Sequence, residues 1–284
     1  MLLRDFLFHF AKRYIAGTKG SEAVEAAKSL NGQNISAAID ILGESVLDAS
    51  QAGAAVKEYL DLLHLIKAEG VDSSVSLKLT HLGLDISDGL AEANTETVVK
   101  KALELGNFVR IDMEGSAYTQ RTLEIFLKLR KRYPNVGVAI QSCLLRSAED
   151  IRLMIEKGAS VRIVKGAYKE PRTVAFRRKA DVDRNFSILM KELLIKGNRP
   201  AIATHDERLI NEAIEFSASM NIPKEGFEFE MLLGIKRTLQ KRLAEDGYKV
   251  RVYVPYGENW LPYTLRRLRE RRENVYFVIK NIFD

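Results

Sequence analysis

Two lysines end short apolar runs in this sequence, Lys78 in Ser76-Leu77-Lys78-Leu79 and Lys165 in Ile163-Val164-Lys165-Gly166. An ammonium in apolar surroundings is costly unless paired, so each lysine is expected to be functional or held in a salt bridge. Taken alone, such a lysine suits a Schiff-base, class I aldolase-like lyase, because desolvation lowers its pKa and makes it nucleophilic. Two lysines with an arginine and a glutamine around one mouth suit instead a flat, anionic, hydrogen-bonding cofactor. The residues themselves leave both readings open. Asp112-Met113-Glu114 sets two carboxylates on one face of a strand by the period-two rule. Their expected role is a salt bridge to a nearby lysine or arginine. No metal is expected, since the four histidines (His9, His64, His81, His205) lack ligand spacing. No glycine-rich phosphate loop of the dinucleotide type is present, so a nucleotide would have to be held by other loops. Cys143, the one cysteine, reads as a small buried filler.

The elements that must position these groups are short β-rich runs separated by helical segments. Strands are expected at Ala38–Leu42, Val75–Leu79, Phe108–Glu114, Val136–Gln141, Val161–Lys165, Ala201–His205, Phe227–Leu232 and Val250–Val254. Between them, Ala54–Ala68 places Val56, Leu60, Leu63 and Ile66 on one helical face. Leu123, Phe126, Leu127 and Arg130 likewise recur at helical spacing. Strand–helix alternation of this kind implies parallel strands with right-handed crossovers, and eight such units close most simply into a barrel. Polar residues then fall at or near the C-terminal ends of nearly all strands: Glu44, Lys78, Asp112 with Glu114, Gln141, Lys165, Thr204 with His205, and Tyr253. That is the face on which a βα barrel builds its active site.

The 284 residues suit one barrel domain spanning 1–284, with an N-terminal helix at about 2–15 packed outside the barrel. A composition 46% hydrophobic and 29% charged is that of a folded globular enzyme. No apolar run is long enough to span a membrane, and Arg4 and Asp5 interrupt any signal-peptide core, so a cytoplasmic protein is expected. The net charge of +6 is interleaved with acidic residues except at Arg266, Arg267, Arg269, Arg271 and Arg272, and no nucleic-acid-binding motif accompanies that cluster.

The strand ends resemble the proline dehydrogenase family over most of the chain. The matching stretches are Leu42-Gly43-Glu44-Ser45, Ser76-Leu77-Lys78-Leu79, Arg110-Ile111-Asp112-Met113-Glu114, Arg162-Ile163-Val164-Lys165-Gly166-Ala167-Tyr168 and Thr204-His205. They continue through Phe227-Glu228-Phe229-Glu230-Met231-Leu232 and Tyr253-Val254-Pro255-Tyr256-Gly257 to Tyr263-Thr264-Leu265-Arg266-Arg267-Leu268. The resemblance implies a distorted (βα)8 TIM barrel with its eighth helix over the mouth, noncovalent FAD, and hydride transfer from C5 of L-proline to flavin N5. It implies cofactor contacts at Gln141, Arg162, Lys165, Gly166, Ala167, Thr204 and His205. It implies a substrate shell of Lys78, Asp112, Tyr168, Leu232, Tyr253, Arg266, Arg267 and Glu270, with Glu44 partnering an arginine that closes the pocket. A membrane quinone is the implied electron acceptor, reached by a peripheral visit to the membrane surface. A separate pyrroline-5-carboxylate dehydrogenase would finish the oxidation. The chain departs from the family in having Glu230 where glutamine is usual, and Gly115 where an acidic residue often follows Glu114.

Taken as a helix, Leu261–Glu270 sets Leu261, Leu265 and Leu268 on one side and Tyr263, Arg266, Arg267 and Glu270 on the other. An apolar tail at Val275–Phe283 can cover the leucines, which frees the arginine face to turn toward the barrel mouth.

Overall fold

A computed structural model describes residue 8 and residues 11–270, apart from the side chains of residues 266 and 268–270. Eight parallel strands close a barrel in sequence order. They are β1 (Ser36–Ile41), β2 (Ser73–Leu77), β3 (Val109–Ile111), β4 (Val136–Gln141), β5 (Ser160–Val164), β6 (Ala201–Ala203), β7 (Glu228–Leu232) and β8 (Lys249–Tyr256). Helix α1 (Gly20–Asn31) precedes the barrel. The crossover helices are α2 (Ala49–Ala68), α3 (Asp88–Glu104), α4 (Ser116–Arg130), α5 (Ser147–Glu156), α6 (Lys179–Lys196), α7 (Glu207–Ser219) and α8 (Arg237–Glu245), and α9 (Trp260–Glu270) follows β8. Helix starts are fixed locally: the Asp48 carboxylate accepts from the Ser50 and Gln51 amides, and Ser87 Oγ accepts from Leu90 N. The apolar stripe of α2 is set by Tyr59, Leu62, Leu63 and Ile66, while Val56 and Leu60, expected on it, are only partly buried.

All eight expected strands are present, but several end elsewhere than anticipated. β2 stops at Leu77 because the Leu79 carbonyl is taken by a turn, accepting from Leu82 N and Leu84 N. β6 stops at Ala203 because Thr204 starts a turn in which its Oγ1 accepts from Asp206 N. β8 runs on through Pro255 to Tyr256. Proline offers no donor, but its carbonyl still accepts from Ala16 N, and Leu42 N donates to Tyr256 O.

The barrel interior is unusual in its chemistry. Such barrels are normally filled by branched apolar side chains. Here strand register sets Asp40, Ser76, Arg110 and Gly137 on one side of the sheet, in adjacent pairs. A second run of neighbours is Ala139, Arg162, Ala201 and Glu228, and a third is Ala203, Glu230 and Arg251. The small residues make room for the guanidinium groups. A Cβ added at Gly137 would meet Arg110 Nη1 and come within 2.7 Å of Ser160 O.

Most of the helix expected at about 2–15 lies outside the described residues. Ala11, Tyr14 and Ile15 pack with Leu42, Ile235, Trp260 and Tyr263, and the Phe8 ring lies 5.1 Å from that of Trp260.

Gly137→Ala should destabilise the barrel by about 1–3 kcal/mol, the usual cost of overpacking, or more because the blocking atoms include backbone. A urea unfolding midpoint unchanged from wild type would show that Arg110 can move aside.

Candidate active site

The C-terminal ends of the strands surround a cavity of about 890 Å³. Its floor rests on Arg162 of β5, whose side chain is 4% exposed. Arg162 Nη1 donates to Asp112 Oδ1 at 2.6 Å, Nη2 donates to Ser76 Oγ at 3.1 Å, and Nε pairs with Glu230 Oε2 at 2.6 Å. Burial opposes the Arg162 charge, but Glu230 and Asp112 outweigh it and raise its pKa further. The guanidinium also lies 5.5 Å from the Tyr253 ring centroid, within cation–π range. Tyr253 OH donates to Asp112 Oδ2 at 2.6 Å, so a single carboxylate orients both the guanidinium and the phenol.

Lys78 is the first residue past β2. Its ammonium donates to both oxygens of Asp40, at 2.9 and 3.0 Å, and lies 3.8 Å from Asp112. Burial lowers the Lys78 pKa, but Asp40 and Asp112 outweigh this and raise it. This tells against Lys78 as a Schiff-base nucleophile, since such a lysine must shed its proton and the flanking carboxylates favour the ammonium. Burial pushes the Asp40 carboxyl up to about 6, against the pull of Lys78. His81, next to this pair, is driven down to about 4 by burial and by Lys78, which leaves it neutral.

Arg162 and Lys165 reach the cavity by different routes despite their opposite pleat parity. β5 ends at Val164, so Lys165 belongs to the loop, and the chain turns at Gly166 with φ of +112°. A Cβ at Gly166 would collide with Cys143 Sγ, so the backbone itself forms this part of the wall. Lys165 Nζ pairs with Asp183 at 2.6 Å and Asp206 at 2.9 Å. Asp206 also caps α7 through the Arg208 amide. Arg208, against burial and together with Lys165, holds the Asp206 carboxyl well below the usual range.

Of the other residues expected at the site, Gln141, Ala167, Tyr168, Thr204, His205, Leu232, Glu44 and Arg267 all line the cavity. Gln141 Nε2 donates to Glu114 O at 2.8 Å, which fixes the amide so that its oxygen lies 3.2 Å from a Cβ position at Gly166. His205 Nε2 accepts from Leu232 N at 2.9 Å, joining the ends of β6 and β7. Pro262, Tyr263 and Arg267 of α9 also line the cavity, with Arg267 5.4 Å from the Tyr263 ring, while Leu261 and Leu265 are exposed. The side chains of Arg266 and Glu270, and the tail at 275–283, lie outside the described residues.

Glu114 departs from expectation. β3 ends at Ile111, so the alternation does not extend to Glu114, and its carboxylate accepts from Thr80 N and Thr80 Oγ1 rather than meeting a cation. Gly115 brings no side chain to the start of α4, and Glu170 from the loop after β5 accepts from Ser116 N there at 3.0 and 3.1 Å. Sequence reasoning passed over Asp40, Asp183 and Asp206. Asp40 did leave a signal, since a lone charge inside Ala38-Ile39-Asp40-Ile41 demands a buried partner. Among the described residues no cluster of His, Cys, Asp or Glu could hold a metal ion.

A parallel barrel with a cavity at the C-terminal strand ends, floored by a paired arginine and a paired lysine, defines a (βα)8-barrel enzyme. The family model for proline dehydrogenase matches residues 23–280. Proline dehydrogenase 1 of Bacillus subtilis (strain 168) is 40% identical over 272 residues, covering 96% of this chain and 90% of that one. The proline dehydrogenase of Deinococcus radiodurans is 37% identical over 286 residues, covering 99% and 92%. Among solved structures, proline utilization A (PutA) from Bdellovibrio bacteriovorus inactivated by N-propargylglycine superposes with a TM-score of 0.88 at 28% identity. That match covers 94% of this chain and 33% of the PutA chain. The chain belongs to the proline dehydrogenase family.

Lys78→Met strands Asp40 as an unpaired buried carboxyl and should cost about 3–5 kcal/mol. Adding Asp40→Asn should recover most of that loss in urea unfolding. A double variant no more stable than Lys78→Met alone would show that the pair does not account for the cost.

Proposed function

We propose that this chain oxidises L-proline to Δ1-pyrroline-5-carboxylate, with hydride passing from proline C5 to N5 of noncovalently bound FAD. The observation that carries the reading is the cavity floor, where Arg162, Asp112, Tyr253 and Lys78 form one bonded set beneath α9. The donor set fits a flavin. Gln141 offers an amide, Thr204 a hydroxyl, Arg162 and Lys165 positive charge, and the bare backbone at Gly166 allows close approach. The volume is at the upper end for sites that enclose a small molecule. The cofactor contacts proposed are Gln141, Arg162, Lys165, Gly166, Ala167, Thr204 and His205.

FAD supplies the two-electron acceptor, and the protein's part is to place substrate and charge around it. Arg266 and Arg267 on α9 bind the proline carboxylate, with Glu270 and Glu44 completing the closure. Leu232, Tyr168 and Tyr253 wall the ring carbons and exclude water. Lys78, held as an ammonium, cannot accept a proton from the substrate. Its charge instead favours the neutral amine, which is the form that can release hydride. Arg162, already neutralised in part by Asp112 and Glu230, presents fixed donors where negative charge accumulates on the flavin, without reorganisation during the reaction.

Electrons pass on to a membrane quinone, and the imine product passes to a pyrroline-5-carboxylate dehydrogenase. The exposed Leu47, Leu145 and Val174, in loops after β1, β4 and β5, support contact with a membrane surface. Arg172, Arg177 and Arg178 are exposed in the last of these loops. No helix among the described residues is long and apolar enough to cross a membrane.

Purified protein should show a flavin spectrum that bleaches on anaerobic addition of L-proline. Protein that stays colourless after incubation with FAD would refute the reading. An arginine fork grips a carboxylate at two points, which lysine cannot copy. Arg267→Lys should therefore raise KM for proline by an amount equivalent to about 1–3 kcal/mol, with FAD content unchanged. Near-normal steady-state kinetics would remove Arg267 from the substrate site.

A further inference from the structure

Four cations and four carboxyls stand inside the barrel: Lys78, Arg110, Arg162 and Arg251 with Asp40, Asp112, Glu228 and Glu230. Each cation has a short contact of its own. Lys78 pairs with Asp40, Arg251 with Glu228 at 3.1 Å, and Arg110 Nη1 donates to Ser160 O at 2.7 Å. Arg162 takes two carboxyls, Asp112 and Glu230, at 2.6 Å each. One of these, Asp112, is also claimed by Tyr253 and approached by Lys78. Glu230 is 3% exposed and lines the cavity. It stands one pleat above Glu228 on β7, so both carboxyls face the interior.

We propose that Glu230 is a positioning residue that aims Arg162 into the cofactor cavity and, by cancelling the last of the buried positive charge, sets how strongly the site favours the reduced cofactor. The proposal rests on the FAD reading above. Reduction brings negative charge onto the flavin ring, and a surplus of buried positive charge beneath the ring would favour it. Glu230 removes that surplus and holds the potential of the bound flavin low enough for electrons to leave again. The position is also sensitive. Burial and the neighbouring Glu228 raise the Glu230 carboxyl, and Arg162 opposes them with help from Arg110 and Arg251.

The test is the midpoint potential of bound FAD, measured anaerobically by equilibration with a reference dye. Glu230→Gln keeps the shape and removes the charge. The potential should move positive by about 30 mV or more, corresponding to tenfold in the two-electron equilibrium. Glu230→Met, neutral and of similar size, should move it the same way. Glu230→Asp keeps the charge and should stay closer to wild type than to Glu230→Gln. A wild-type potential in Glu230→Gln, or an equal shift in Glu230→Asp, would overturn the proposal. If neither neutral variant folds, the carboxylate is a requirement of the barrel itself, and the proposal falls as well. Wild-type protein that takes up no FAD fails the functional reading and this inference with it. Coloured wild type with unmoved variants fails the inference alone.

Discussion

The Arg162 guanidinium, clamped between Asp112 and Glu230 inside the barrel, is the interaction from which the rest of the molecule can be derived. A guanidinium 4% exposed cannot be left unpaired, so two strands on opposite sides of it, β3 and β7, must deliver carboxyls. Three such arginines need volume, which the barrel supplies by placing glycine, alanine and serine at the facing positions of its other strands. The usual tiers of branched side chains are replaced by alternating charge, and the apolar core is displaced outward to the layer between strands and helices, where Val161, Ile163, Ile202 and Phe229 are fully covered.

The same constraint decides the chemistry available at the mouth. Because Asp40 and Asp112 favour the ammonium form of Lys78, that residue is suited to act through its charge rather than as a covalent nucleophile. Lys165 too is paired, with Asp183 and Asp206. Asp206 belongs simultaneously to the α7 cap, so the position of a cavity cation is tied to the placement of a whole helix. Glu170 makes the corresponding link for α4, carrying the loop after β5 across to the loop after β3. The cavity wall is therefore built by contacts between neighbouring βα units rather than within any one of them.

This explains which features the sequence disclosed. Strand and helix alternation is a local property, and all eight strands could be read from it. Their ends could not, because they depend on turn hydrogen bonds such as those taken by the Leu79 carbonyl, which no periodicity reports. Lys78, Asp112 and Lys165 stood out because they interrupt apolar runs. Asp40 interrupts one too, yet the strand assignment absorbed it. Glu114 was misplaced by extending pleat alternation beyond the last ladder pair at Ile111. Asp183 and Asp206 lie in stretches rich in charge, where nothing local distinguishes a carboxyl that turns toward the cavity from one that faces water.

A barrel with this interior gives up stability that an apolar filling would have supplied. Replacing buried ion pairs by well-packed hydrophobic residues is often neutral or stabilising, so stability alone does not account for eight ionisable groups inside the barrel. Preorganisation does. A cofactor that changes charge during turnover needs surrounding dipoles and charges that are already in place, since reorienting them would add to the barrier. Fixing Arg162 at three points and Lys78 at two makes the cavity floor rigid before any ligand arrives. The near balance of cations and carboxyls inside the barrel leaves a field that one proton or one substitution can tip, and Glu230, paired with Arg162 at the cavity floor, stands where such a change would be felt.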